Sequence, residues 1–147
     1  MVWSFLTFLI RKLDPEIAHQ LTLKALTLGV HPRLKALKIP TKINNLKFNN
    51  ILGVAAGFDK NAQVIDKIHF LNFGFTEVGT ITPKQQYGNP KPRVFRLEND
   101  RALINRLGFN NDGLEKVSER LQKNSPTNFL GINIGPNKDS KIELKII

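Results

Sequence analysis

Three short apolar runs limit what this chain can fold into: residues 51–56, Phe75–Ile81 and Phe129–Ile134. Each is brief and rich in small or branched side chains, as parallel strands buried on both faces are. Between them, residues 61–71 place Val64, Ile65, Ile68 and Leu71 at helical spacing, and residues 113–123 read as a second helix. A Pro/Gly-rich loop (83–92) and a hairpin (Val94–Leu97 with 102–104) form an excursion after the second run. Strand, helix, strand, excursion, helix, strand predicts right-handed βαβ units on a parallel sheet. Three strands cannot close a barrel. A closed (β/α)8 barrel needs about 250 residues, and this chain has 147.

The composition changes at Pro40. Before it the pattern is helical. Trp3, Phe5, Leu6, Phe8, Leu9 and Leu13 make one apolar segment. Asp14-Pro15-Glu16 then predicts a helix start, with an Asp cap and Pro at the first helical position. Ile17, Leu21, Ala25 and Leu28 follow at helical spacing, and Gly29 is the expected stop. Residues 43–48 alternate like a short strand.

The formal charge is +10, from 22 Lys+Arg and 12 Asp+Glu. The N-terminal third is the most lopsided: Arg11, Lys12, Lys24, Arg33, Lys35, Lys38, Lys42 and Lys47 face only Asp14 and Glu16 in residues 1–50. Such a segment suits nucleic acid or an anionic membrane surface, or reflects a lysine-rich composition that carries no message. Aromatic side chains sit in apolar patterns and are not interleaved with Lys and Arg, which speaks against nucleic acid. No apolar run approaches the ~18 residues of a membrane span. Residues 1–10 lack the basic start of a signal peptide, because Arg11 and Lys12 come after the apolar stretch. The expectation is a cytoplasmic chain touching a membrane. With no cysteine, thiolate chemistry and disulfides are excluded. His19, His31 and His69 form no cluster with Asp or Glu at ligand spacing, so no metal is expected. No phosphate-binding glycine motif occurs.

Four segments carry candidate chemistry. Residues 55–61 (Ala-Ala-Gly-Phe-Asp-Lys-Asn) end the first run, on what is the active-site face of a barrel. Gly57 permits close approach of a ligand to the backbone, and Lys60 offers a cation to a carboxylate or an electron-rich ring. On residue types alone, an ordinary turn with a surface Lys is the commoner case. Gly79 and Thr80 end the second run with a backbone N–H and a hydroxyl, or simply a capped strand end. Residues 105–111 hold three Asn and one Arg around Gly108. They suit the edges of a planar heterocycle, or a turn in which Asn111 or Asp112 caps the next helix. Asn133 lies inside an apolar run and needs partners, in a ligand or a neighbouring strand.

Read together, LGVAAGFDKN (52–61), FGFTEVGTITPKQQYGNPKPRVFRL (73–97), LINRLGFNNDG (103–113) and LGINIGPNKD (130–139) are similar to the quinone-linked, class 2 dihydroorotate dehydrogenases, in order and spacing. Residues 1–38, including LDPEIAHQLTLKAL (13–26), resemble the N-terminal helical pair through which that class contacts the membrane and admits quinone. The resemblance implies an α/β chain: a helical element (1–38), then the first three or so β/α units of an incomplete TIM (β/α)8 barrel (41–147). It implies oxidation of dihydroorotate to orotate in pyrimidine biosynthesis, with FMN as cofactor and a membrane quinone as electron acceptor. It implies FMN contacts at Ala56, Gly57, Phe58, Asp59, Lys60, Thr80 and Asn133. It implies substrate contacts at Lys60, Asn105, Arg106, Leu107, Gly108 and Phe109.

The expected setting is peripheral, on the cytoplasmic side of a membrane, with a monomer once complete. Pro136 departs from the family's usual Lys, and residues 142–147 do not continue the family pattern. The family's catalytic Ser base has no counterpart in these 147 residues. The expectation is therefore a fragment, inactive alone. The alternatives are a non-catalytic flavin- or membrane-binding remnant and, more remotely, a basic nucleic-acid binder.

Overall fold

The computed structural model describes residues 2–32, 39–124, 126 and 129–140. Arg33, Lys35 and Lys38 of the basic segment, and the 142–147 tail, lie outside the described residues.

The helical pair forms as its sequence predicts. Helix α1 (Val2–Arg11) leads into α2 (Pro15–Thr27). The Asp14 carboxylate accepts the N–H groups of Glu16 (2.9 Å) and Ile17 (3.1 Å), with Pro15 in the first turn. Gly29 follows the helix in the left-handed region (φ 73°), which a residue without Cβ adopts freely. Ala18, Leu23 and Leu26 of α2 are buried, and Leu23 and Leu26 pack on Val64 and Ile68 of the following domain. On α1, by contrast, Phe5 and Phe8 are more than half exposed.

Residues 43–48 are not one strand. They are bent into an antiparallel hairpin, β1 (Thr41–Ile43) with β2 (Leu46–Phe48). Asn44 takes the turn at φ 52°, a conformation Asn tolerates better than most residues. Phe48 then packs against Phe75 (5.8 Å between centroids) and Phe129 (4.7 Å).

Those two rings open the strands of a parallel sheet ordered β3 (Gly53–Val54), β4 (Phe75–Ile81), β7 (Phe129–Ile134). In register, Gly53 faces Phe75, and Phe75 faces Phe129. The first predicted strand shrinks to two paired, half-buried residues. The third pairs on one edge only among the described residues. It is not buried as predicted: Ile132 and Ile134 are 51% and 77% exposed. The layer covering β4 holds Ala62, Ile65 and Val117 against Val78 and Ile81. Phe75 and Glu77 alternate to the less buried face, and the irregularity between Val78 and Ile81 brings Thr80 to it as well.

The helix predicted over 61–71 is replaced by turns and one 3-10 helix, Ile68–Leu71. The buried Asp59 carboxylate takes the N–H groups of Asn61, Gln63 and Val64, and Ala62 sits at φ 53°. A left-handed residue interrupts a helix, yet Val64, Ile65 and Ile68 still reach the core. The excursion is as predicted: β5 (Val94–Leu97) pairs antiparallel with β6 (Ala102–Asn105). Helix α3 (Leu114–Lys123) starts from Gly113, with no side-chain cap. Asn111 and Asp112 do not cap it. Asn111 binds Thr82 and the Gly113 N–H, and Asp112 pairs with Arg120 at 2.6 Å.

Candidate functional site

The C-terminal ends of β3, β4 and β7 lie side by side. Backbone bonds sew them together: Gly57 N–H to the Gly79 carbonyl (2.8 Å), Gly79 N–H to the Asp59 carbonyl (3.1 Å), and Gly135 N–H to the Ile81 carbonyl (3.0 Å). Gly79 is required there. Its φ is 114°, and a Cβ would strike the Asn133 carbonyl. Gly57, at φ 105°, faces open space on its Cβ side, so a flat molecule can approach the backbone.

Across the sheet runs a polar chain. The Thr80 hydroxyl donates to Asn133 Oδ1 (2.6 Å), and Asn133 Nδ2 donates to Glu77 Oε1 (3.0 Å). The structure thus joins Thr80 and Asn133, which the sequence analysis singled out separately, and adds Glu77, which it missed. Two strand positions 56 residues apart in sequence give no local sign of this contact.

Lys60 is half-buried and makes no ion pair among the described residues. Burial pushes its pKa below the usual lysine range, and Arg93 adds to this, while Glu16 and Asp59 oppose it. Lys60 lines a cavity of about 590 Å³ with Glu16, His19 and Leu23 of α2 and with Asn110 and Asp112. Ala56 and Phe58 are half-buried beside it. Asp59 is wholly buried, and its carboxylate serves the 61–64 turn.

Helix α2 touches this strand end directly. His19 Nε2 bonds the Phe58 carbonyl at 2.6 Å, so that nitrogen carries the proton, and its ring meets Phe58 edge-on. Burial holds the His19 pKa below its usual value. The Phe58 carbonyl opposes the shift, and the Lys60 charge reinforces it. Glu16 and Arg93 form a two-bonded buried pair, and Arg93 also donates to the Tyr87 and Asn89 carbonyls. The Arg93 hydrogen bonds hold the Glu16 carboxyl below the usual range against its burial.

Residues 105–109 are positioned by the 86–93 loop and not by Lys60. Asn105 ends β6 opposite Val94. Arg106 reaches the Pro92 carbonyl, Asn89 binds the Arg106 and Leu107 carbonyls, and Gln86 binds the Gly108 carbonyl. Gly108 (φ 72°) and Phe109 (φ 52°) turn the chain, leaving Phe109 exposed. After Pro136, Asn137 exchanges bonds with the Lys84 backbone, so the Asn133 contacts stand despite the substituted loop.

A parallel sheet with its polar residues gathered at the strand ends defines the opening units of a β/α barrel and its mouth. The dihydroorotate dehydrogenase family model matches residues 38–146, and the chain belongs to that family. A Bartonella tribocorum protein named dihydroorotate dehydrogenase (quinone) is 53% identical over 130 residues, 87% of this chain and 36% of its own length. A Rhodospirillum rubrum protein of the same name is 51% identical over 136 residues, 90% of this chain and 37% of its own. The Eimeria tenella enzyme crystallised with ferulenol superposes with a TM-score of 0.81 at 44% identity, covering 88% of this chain and 38% of that one. The chain thus spans little more than a third of the relatives it matches.

Proposed function

We propose that this chain forms the N-terminal portion of a quinone-linked dihydroorotate dehydrogenase, which oxidises dihydroorotate to orotate. The observation that carries the reading is Lys60: a half-buried ammonium with no ion pair among the described residues, just past a barrel-strand end. An anionic ligand there recovers the Coulomb energy that burial withholds. FMN, when bound here, would supply hydride acceptance and electron transfer toward quinone. Toward it, residues 56–60 offer backbone groups, and Thr80 and Asn133 a hydroxyl and an amide. Lys60 also holds the substrate carboxylate, and residues 105–109 the remainder of the substrate. This donor set suits a planar, electron-rich ring system beside a carboxylate.

Residues 1–38 form the membrane- and quinone-facing element, and 41–147 the partial FMN-binding barrel. The exposed apolar side chains of α1 and the flanking Arg11 and Lys12 suit an anionic bilayer surface. None of the helices in the described residues is long and apolar enough to cross it. The protein is peripheral, on the cytoplasmic side, and a monomer when complete.

The test is to isolate the native polypeptide that carries this sequence and measure its intact mass, flavin absorbance and dihydroorotate-dependent quinone reduction. A flavoprotein of roughly two and a half times the 16.6 kDa of this chain, active with dihydroorotate, is expected, since the matched segment is 36% of a relative's length. A flavin-free product without that activity overturns the reading. The 147-residue chain alone should not reduce dye with dihydroorotate, since general-base catalysis contributes about 10²–10⁴-fold.

A further inference from the structure

The relay on the inner face of the sheet has a direction, and Glu77 is the group that sets it. An Asn side chain can sit in either of two flipped orientations, presenting oxygen or NH2 to a given neighbour. Thr80 cannot choose between them, because a hydroxyl both donates and accepts. An ionised carboxylate only accepts. With Glu77 Oε1 3.0 Å from Asn133 Nδ2, the flipped amide would place oxygen against oxygen. Asn133 Oδ1 must therefore face Thr80, and the Thr80 hydroxyl must spend its proton on that oxygen, at 2.6 Å.

Glu77 is held for this task. It sits mid-strand in β4, opposite Gly131 of β7, and a Cβ at Gly131 would come within 3.3 Å of the Glu77 side chain. The glycine leaves room for the Glu77 stem beside β7. No Lys or Arg is paired with Glu77 among the described residues, and Glu77 Oε1 accepts from Asn133.

We infer that Glu77 is a positioning residue for the cofactor mouth. It fixes the Asn133 amide and thereby leaves Thr80 Oγ1 as a hydrogen-bond acceptor, suited to an N–H on the edge of a flavin ring. Asn133 retains one N–H and one carbonyl lone pair for the same ring. The inference rests on the flavin reading only in its choice of ligand; the orientation of the amide stands apart from it.

The test variant is Glu77→Gln. It keeps volume and hydrogen bonding but, like Thr80, can face Asn133 with either a donor or an acceptor. Two readouts are taken on the native polypeptide that carries this sequence and on the same polypeptide with the substitution. The first is the Asn133 side-chain amide by NMR, with its cross-relaxation to the Thr80 methyl. The native chain should show one amide environment with the NH2 remote from Thr80. The variant should show exchange between two, with NH2 protons approaching that methyl. An unchanged Asn133 amide in the variant overturns the inference, whether or not FMN binds.

The second readout is FMN affinity by quenching of flavin fluorescence. Loss of direction should weaken it about tenfold, the effect of one misdirected hydrogen bond. Removing a negative charge alone would instead tighten the binding of an anionic cofactor. Unchanged or tighter binding in the variant therefore defeats the inference. If the native polypeptide that carries this sequence binds no FMN, the flavin reading fails, and the amide signal still decides the role of Glu77.

Discussion

Lys60 and Asp59 are adjacent in sequence, yet the structure gives them opposite employment. Asp59 is buried and saturated by three backbone N–H groups, so its charge organises the turn. Lys60 keeps its ammonium half-buried on a cavity wall. A lysine with a depressed pKa favours the folded state more as pH rises, because burial penalises only the charged form. Lys60→Met removes the charge that burial penalises and should therefore raise the urea midpoint of unfolding. In the native polypeptide, under the proposed function, the same variant should lose orotate affinity by about tenfold or more, as expected for a lost charged hydrogen bond. A destabilised variant that binds orotate normally would contradict both halves. Lys60 and Gly57 were legible as candidates because their motif ends an apolar run. Glu77 was not, because its partner lies on a strand brought alongside only by the sheet.

Helix α2 is docked by two kinds of contact. Its apolar side, Leu23 and Leu26, packs on Val64 and Ile68, and its polar side offers Glu16 to Arg93 and His19 to the Phe58 carbonyl. Glu16→Gln leaves the Arg93 charge buried without its counterion, which should cost about 3 kcal/mol, measurable by denaturant unfolding. The pH dependence has one sign for both groups. His19 and Glu16 each have a lowered pKa in the fold, so each contributes stability that is present above its unfolded pKa and lost as pH falls. The His19 contribution should fade first, on acidification below about pH 6.5, and that of Glu16 below about pH 4.3. A stability profile flat from pH 7 to pH 4 would contradict this. Helix α1 carries Phe5 (62% exposed) and Phe8 (58%). Replacing both by Ser should lower partition into anionic vesicles at least about tenfold, since each buried Phe is worth about 1.5–3 kcal/mol, read by vesicle co-sedimentation.

The parallel sheet of the described residues is open. β3 and β7 each pair on one side among the described residues, and β7 exposes Ile132 and Ile134. Unpaired edges with exposed aliphatic side chains template association. The purified chain should therefore elute above its monomer mass of 16.6 kDa. Ile134→Lys should reduce that association with less than about 0.5 kcal/mol effect on stability, as for other surface changes. Light scattering of the two proteins at matched concentration checks it. Equal association would place the sticky surface elsewhere.

From the sequence alone came the α2 caps, the β4 strand, the β5–β6 hairpin, helix α3, the parallel order of the three strands and the family. These depend on local chemistry: an Asp before Pro, period-two and small-residue runs, and motif order along the chain. Tertiary structure alone decided three things. Residues 61–71 became turns because the Asp59 carboxylate took the N–H groups a helix would have used. Residues 43–48 became a hairpin that sets Phe48 against the rings of Phe75 and Phe129. Thr80, Asn133 and Glu77 became one relay because parallel pairing set β7 beside β4. Each outcome turns on a partner distant in sequence or on a local polar group that outcompetes helical spacing, and periodicity records neither.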